Sequence, residues 1–494
     1  MSGTFLGINL GLADVRAILT DSSERIVARQ EMSVTRHAPR SSWREQSPLE
    51  WWHATQDVIA GIRAEAPAAF RQLRGIGVAG QTQGVVLLDK HDRVLRPAIL
   101  WDDDRARAEC VEFEALVVDS RDITGNVALP HYSAPKLLWL QKHERSVFDS
   151  IARMLMPKDF LVHCLTGEFV TDMSDASSTL CFDVRHRDWS GRVIEAIGLQ
   201  PGNLPRLAEG SAVAGSLRSA LQREWGVDCL VTVAAGASRP AAMAVGLGAL
   251  KAGDAFVTLG PTTLAGVTTR APRCVPDGAV RNLCHCLPGL WHQQSGLPAG
   301  MRSLDWCAGV MGVDEPKDLF DAAQRSDMHT APVFLPGLSE ARVRCGDVRA
   351  SGAFFGLTEN TDAGALAYSI LEGIAFSVAD RLQTIAATCR IDGTPSLIGA
   401  GSRHRFWCEL LATVCDMPMA LRAEDFDAAS SGAAYLARLA AGDAGIADSG
   451  RSHSVATMIL PRRDWTEEIL SRQARFRRLN RALESEFSME GVLS

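Results

Sequence analysis

Two apolar runs about 250 residues apart share one layout, and this repetition constrains the fold more than any other feature of the chain. Ile8-Asn9-Leu10-Gly11 and Val257-Thr258-Leu259-Gly260 each close a β-rich run on a glycine. A few small or polar residues then turn the chain, and a second apolar run returns. Strand, glycine, turn and strand recur by chance as well, so on the hairpins alone duplication and coincidence both stay open. Around the first hairpin, the runs over 5–11 and 15–19 and a third from Ile26 predict a three-stranded meander. Ser47-Pro48-Leu49-Glu50 predicts a helix start: serine to cap, proline at the first helical position, and glutamate three residues on to close a capping box. Trp51, Trp52, Val58, Ile59 and Ile62 then recur at helical spacing, before Ile76-Gly77-Val78-Ala79-Gly80 gives another strand. Strands alternating with helices in this way predict an α/β fold.

At roughly 100–200 residues per domain, a chain of 494 residues holds two or three domains. A net charge of −7, with 46% apolar and 22% charged residues, excludes long-range disorder and a generically basic nucleic-acid binder. Anionic ligands are then left to a local pocket. Twelve cysteines stand singly apart from Cys284-His285-Cys286, with no CxxC pair, which reads as reduced thiols in a cytoplasmic chain. No second cluster completes a tetrahedral set, so the triplet predicts buried strand residues and no metal. Met1 to Leu10 lacks a basic segment followed by an apolar one, and no window reaches ~18 apolar residues, so neither an export signal nor a membrane span is expected.

Farther on, Ser396-Leu397-Ile398-Gly399-Ala400-Gly401-Ser402 runs into a helix carrying Phe406, Trp407, Leu410, Leu411 and Val414. Backbone N–H groups at such a junction approach a nucleotide closely, or the glycines serve tight packing; no GxxxxGK[ST] signature accompanies them. Ser430-Ser431-Gly432-Ala433-Ala434 reads as a packing surface. Residues 465–487 predict a charged amphipathic helix with Leu470, Phe476, Leu479 and Leu483 inward.

Taken together, the ordered segments carry a family resemblance. They are Glu45-Gln46-Ser47-Pro48 with Trp51-Trp52; Gly77-Val78-Ala79-Gly80-Gln81; Val94 to Trp101; and Ala134-Pro135-Lys136-Leu137-Leu138-Trp139. Pro157-Lys158-Asp159, Asp172-Met173-Ser174-Asp175-Ala176, Phe334-Leu335-Pro336 and Gly352 to Thr358 continue the series. Along nearly its whole length the chain resembles the FGGY carbohydrate kinases, most closely the xylulokinases. The resemblance implies two ribonuclease-H-like domains of the actin-like ATPase and hexokinase type: a sugar side over 1–245 and a nucleotide side over 246–494. Sugar and MgATP would meet in the cleft between them, with a ketopentose such as D-xylulose as acceptor.

Phosphoryl transfer to a hydroxyl requires a carboxylate base, an acidic environment for Mg²⁺, and backbone donors around the phosphates. Against the family pattern, Asn9 stands where an aspartate organises metal and γ-phosphate; an amide brings no negative charge to a hard cation. The family's Gly-Gly-Asp-Asn is here Ala237-Ser238-Arg239-Pro240, which puts Arg239 at the base position. Guanidinium stays protonated and accepts no proton. Losing a positioned base costs about 10²–10⁴ in rate, roughly 3–5 kcal/mol. The sugar-contacting Gln-Met-His-Gly is Gln81-Thr82-Gln83-Gly84, and Gly-Thr-Ser of the second hairpin is Gly260-Pro261-Thr262. Glu340-Ala341-Arg342-Val343-Arg344 replaces Gly-Glu-Arg-Thr-Pro, and Gly399-Ala400-Gly401 replaces three glycines.

By resemblance, then, acceptor contacts fall on Thr82, Gln83, Asp102, Arg239 and Pro240, and nucleotide contacts on Gly11, Gly260, Thr262, Thr263, Gly399, Gly401 and Ser402. Three readings stand. The chain is a xylulokinase-like enzyme whose proton acceptor comes from elsewhere, such as Asp102, Asp103 or Asp104; or a pseudokinase that binds sugar, nucleotide or a partner protein; or a kinase for a different, anionic acceptor that pairs with Arg239. The expected ligands are a small sugar and a nucleotide, with no nucleic-acid polymer and no membrane. A homodimer stays open.

Overall fold

The computed structural model describes residues 3–260, 262–273, 278, 280–297, 300–337, 352–423, 426–446 and 457–483. Pro261, the 340–344 segment and the predicted helix beyond 483 lie outside the described residues. The first sheet contains β1 (Thr4–Leu10), β2 (Asp14–Thr20), β3 (Ile26–Ser33), β4 (Leu73–Gly80), β5 (Val213–Ser216), β6 (Thr232–Ala234) and β7 (Ala237–Ser238). β1 to β3 form the expected antiparallel meander. On the other side of β1, β4 runs parallel to it, β6 and β7 parallel to β4, and β5 antiparallel to β6.

The second sheet is built from β8 (Ala255–Leu259), β9 (Thr263–Thr269), β10 (Arg281–Cys284), β11 (Trp291–Leu297), β12 (Ser396–Ile398), β13 (Met419–Leu421) and β14 (Thr457–Ile459). Its order is β10-β11-β9-β8-β12-β13-β14. From β8, three antiparallel pairings run one way; parallel, parallel and antiparallel pairings run the other. From β1 the first sheet has the same orientations, short of the third antiparallel pairing. The two glycine-ended hairpins therefore occupy equivalent places in two sheets of one design, which decides for duplication over coincidence.

Helix α1 (Pro48–Glu65) buries Trp51, Val58, Ile59 and Ile62 on the first sheet, with proline at its first position. The capping box does not form. Ser47 makes no side-chain cap bond, and Glu50 instead accepts the amide of Thr35 at 2.7 Å, drawn to a donor on the adjoining loop. The helices nearest the candidate site are α2 (Ser133–His143), α3 (Pro157–Thr166), the single turn α4 (Met173–Ala176), α5 (Arg239–Leu247) and α6 (Arg302–Met311). The rest of the second half is built on α7 (Ala363–Ala386), α8 (Arg405–Cys415), α9 (Ala428–Ala440) and α10 (Thr466–Ala482). Helix α7 is long and apolar enough to cross a membrane, yet 78% of its apolar window is buried, as in a core helix. On α8, Trp407, Leu410, Leu411 and Val414 are buried as predicted.

The small-residue stretch on α9 is a packing surface. A Cβ on Gly432 would run into the Ala242 carbonyl of α5, and one on Gly246 into the Ala428 carbonyl of α9. Gly7 of β1 and Gly77 of β4 meet α9 backbone just as closely. Helix α9, from the second half of the sequence, thus lies on the first sheet and against α5. On α10 the predicted face holds at Phe476, Leu479 and Leu483, which pack against the core, and fails at Leu470. Leu470 is 59% exposed, while Ile469, Arg472 and Phe476 are buried. Arg472 fixes this setting by bonding Glu372 through Nε at 2.7 Å and the carbonyls of Ala331 and Pro332.

Candidate active site

Parallel strands gather their C-terminal ends on one edge, and that edge carries the candidate residues of the first sheet. Asn9 of β1 and Ala237 of β7 both register with Ala79 of β4. The residues that follow, Gly11, Gln81 and Arg239, leave the sheet together. Asn9 is 1% exposed and its Oδ1 has no hydrogen-bond partner. Gly11 spends its amide on the Asp14 carbonyl at 2.8 Å, closing the hairpin. Gln81 donates its side-chain amide to Gln46 at 2.9 Å and leaves Oε1 unpartnered. Beyond half-buried Thr82, Gln83 turns through a left-handed backbone, φ 65°, and is 2% exposed with Nε2 unpartnered.

Arg239 opens α5, and Pro240 behind it removes one N–H from the helix start. Its side chain is exposed, and no hydrogen bond or ion pair engages it among the described residues. Close behind lies a fully buried ionic cluster. Lys158 of α3 places Nζ 2.5 Å from Asp159, 3.1 Å from Asp172 and 3.7 Å from Asp175. Asp172 accepts the hydroxyl of Ser174, and that hydroxyl accepts the amide of Ser238 at 2.9 Å, one residue before Arg239. On its other side the cluster abuts Gly80, where a Cβ would strike Lys158. Burial raises the Asp175 carboxyl well above its ordinary value, and Asp159 and Asp172 add to this against the pull of Lys158. Burial likewise raises Asp159. Lys158 stays charged because three carboxylates outweigh its own desolvation.

The three aspartates after Trp101 differ in use. Asp103 is buried and takes Arg105 and the Arg44 amide; Asp104 pairs with Arg107. Asp102 pairs with Arg36 at 2.7 Å and keeps Oδ1 without a partner.

In the second sheet β8 and β12 are parallel neighbours, so Gly260 and Gly399 leave adjacent strand ends. Gly399 sits at φ 100° with the Leu259 carbonyl where a Cβ would be, a place only glycine fills without strain. Gly401 packs on Trp407, and Ser402 turns its hydroxyl onto the Gly399 carbonyl at 2.7 Å. Thr262 accepts Arg302 of α6 at 3.3 Å, and the buried Thr263 hydroxyl has no partner. Gly401 and Ser402 therefore serve their own turn, while Gly260, Gly399 and Thr263 line the strand-end edge.

Sequence reasoning missed several residues. Lys136 of α2 is fully buried and donates to the carbonyls of Gln83 at 2.9 Å and His131 at 2.8 Å; burial pushes its ammonium down to about 7. His131 Nε2 and Tyr132 Oη are buried without partners. The ordered motif around Lys136 gave the position but no role. After Cys284 ends β10, His285 accepts the Leu287 amide and its ring lies 5.0 Å from that of His292. Among the described residues no group of three or more His, Cys, Asp or Glu is disposed to hold a metal ion. With an amide at Asn9 and an ammonium filling the acidic cluster, these donors do not fit a resident metal.

The first-sheet half, residues 4–246, matches the FGGY family of carbohydrate kinases, N-terminal domain, and residues 255–441 match its C-terminal domain. The chain belongs to the FGGY family of carbohydrate kinases, with the two-domain α/β fold of its structural neighbours. It is similar to the xylulose kinase of Escherichia coli (strain K12), 38% identical over 438 residues, covering 88% of this chain and 90% of the relative. The xylulose kinase of Klebsiella pneumoniae is 38% identical over 440 residues, covering 89% and 90%. A crystal structure of a xyloylose kinase from Brucella ovis superposes with a TM-score of 0.93 at 35% identity, covering 98% of this chain and 99% of that one. Kinases of this family use ATP, typically with Mg²⁺.

Proposed function

We propose that this chain binds a five-carbon sugar or a close polyol relative, together with a nucleotide, between its two sheets, and that its transfer of phosphate to that sugar is slow or lost. D-xylulose is the reference acceptor because the similar relatives are named xylulose kinases. The division into a sugar side over 1–245 and a nucleotide side over 246–494 belongs to the same reading, as does a cytoplasmic setting. In its favour, Asn9, Gln81 and Gln83 cluster at strand ends with buried polar atoms that await a partner. Buried groups left unpaired in this way are costly, and a polyhydroxylic ligand is their natural complement.

One observation carries the loss of rate. Arg239 stands at the base position, and the carboxylates just behind it, Asp159, Asp172 and Asp175, are engaged with Lys158 beneath the surface. A second reading, retained but weak kinase activity, is favoured by Asp102, whose free Oδ1 is an acceptor for a hydroxyl proton. The test is purified protein with MgATP and D-xylulose, followed by coupled ADP release and by melting shifts with each ligand. Melting shifts with turnover well below about 1 s⁻¹ support impaired transfer; turnover at about 1–100 s⁻¹ rejects it. Loss of that turnover in Asp102→Asn assigns the base to Asp102.

A further inference from the structure

Among the polar groups without partners, donors and acceptors separate. Asn9 Oδ1, Gln81 Oε1 and Asp102 Oδ1 only accept. Gln83 Nε2 only donates, and the Tyr132 hydroxyl has a proton to give, because burial raises it to about 12. A neutral sugar satisfies the acceptors with its hydroxyl protons. It does not call for a concentration of donors backed by positive charge.

That concentration is what surrounds Tyr132. Lys136 ties the Gln83 and His131 carbonyls to one ammonium, which brings the two segments together. Arg281, on β10 of the second sheet, acts electrostatically on both His131 and Tyr132. Its strand is fastened to the first half next door: Asn126 donates to the Asn282 carbonyl at 2.8 Å and accepts the Asn282 amide at 2.9 Å. Cys284 adds a bond to Ser177 at 2.9 Å. Arg281 is half-buried, and no carboxylate pairs with it among the described residues. Buried or half-buried guanidinium is ordinarily matched by an anion. His131 stays neutral, held down first by burial and then by Arg281 and Lys136.

We infer that the acceptor is anionic, a polyhydroxy compound whose carboxylate or phosphate is held by Arg281, Tyr132 and Gln83 while its hydroxyls meet Asn9, Gln81 and Asp102. This rests on the proposed sugar-binding cleft and narrows its ligand class. Arg239, exposed and unpaired among the described residues at the strand-end edge, adds a further cation for the same ligand.

The test is calorimetric titration of the full chain with five-carbon probes of matched size: D-xylonate, D-xylulose 5-phosphate, xylitol and D-xylulose, with inorganic phosphate as a separate arm. One of the two sugar anions should bind at least tenfold more tightly than both neutral probes, and which one does so identifies carboxylate or phosphate. Arg281→Gln should abolish that advantage and leave xylitol unchanged. Tyr132→Phe, which keeps the ring, should reduce it severalfold and stands in should Arg281→Gln not fold. Equal or tighter binding of the neutral probes overturns the inference. So does an unchanged anion advantage in Tyr132→Phe together with Arg281→Gln, or inorganic phosphate binding as tightly as the sugar anions. A melting shift with MgADP in the same samples separates the two levels: if it persists without anion preference, only the inference falls; if no sugar or nucleotide binds, the cleft reading falls with it.

Discussion

The hydroxyl of Ser174 accepts the backbone amide of Ser238 at 2.9 Å while donating to Asp172 at 2.5 Å. Through these two bonds the buried Lys158 cluster holds the residue immediately before Arg239. Ser174→Ala breaks the link without removing a charge. We expect amide exchange at Ser238 to quicken at least tenfold while exchange in β1 and β4 stays unchanged, as read by hydrogen–deuterium exchange with mass spectrometry. A purely local packing role would slow or speed all three segments together.

Lys158→Met is a harsher change. It leaves the buried Asp159, Asp172 and Asp175 cluster without its cation, and breaking a buried ion pair from one side costs about 3–5 kcal/mol. Urea denaturation at neutral pH should show a loss of that order. A loss below about 1 kcal/mol, the range of an exposed pair, would mean that the cluster is solvated in solution.

The same cluster sets a pH dependence. Asp175 has a folded pKa raised above its ordinary 3.8, chiefly by burial. Between pH 3.8 and the raised folded pKa the unfolded carboxyl is ionised while the folded one keeps its proton, so over that interval the folded state binds more protons and stability falls as pH rises. Asp175→Asn mimics the protonated form. Its stability should equal the parent's near pH 4 and exceed it at pH 7, the gap widening by at most about 1.4 kcal/mol per pH unit. A constant gap in thermal melts across this range would contradict the assignment.

Histidines act with the opposite sign. Burial lowers His292 to about 4 and holds His285 well below 6.5. Below pH 6.5 the unfolded chain takes up protons that the folded chain refuses, so stability is lost as pH falls. His292→Gln should flatten the acid limb between pH 6.5 and about 4 by up to about 1.4 kcal/mol per pH unit, measured by denaturant melts at each pH. An unchanged acid limb would place His292 in contact with solvent.

The legible part of this molecule was the part governed by local pattern. The meander, the strand at 76–80, the α8 face and the second hairpin followed from alternation and glycine placement. The small residues at 430–434 were rightly assigned to packing. Duplication needed the pairing orientations, because a hairpin motif says nothing about which strand lies on its far side. Glu50 and Leu470 failed for one reason: a distant partner, the Thr35 amide for the first and the Arg472–Glu372 pair for the second, outweighed the local preference. Gln83 was named from the resemblance, but its neighbours His131, Tyr132 and Lys136 escaped notice, because about 50 residues separate them from it and they meet it only through the tertiary bonds of Lys136.

Arg239 and Asn9 give the sharpest test of activity. Arg239→Asp with Pro240→Asn places a carboxylate at the start of α5 and restores an N–H there; Asn9→Asp adds negative charge at the end of β1. If these sites alone limit transfer, the triple variant should gain about 10²–10⁴ in kcat with MgATP and D-xylulose, the contribution of a positioned general base. Arg239→Asp alone should gain less, because Asn9 still brings no negative charge to the end of β1. The same triple variant should weaken binding of a sugar anion, since one cation is lost and two anions are added near the ligand. A coupled assay and a titration on one preparation therefore read both effects. A rise in kcat with no loss of anion affinity would assign Arg239 to the chemistry alone and leave ligand charge to Arg281.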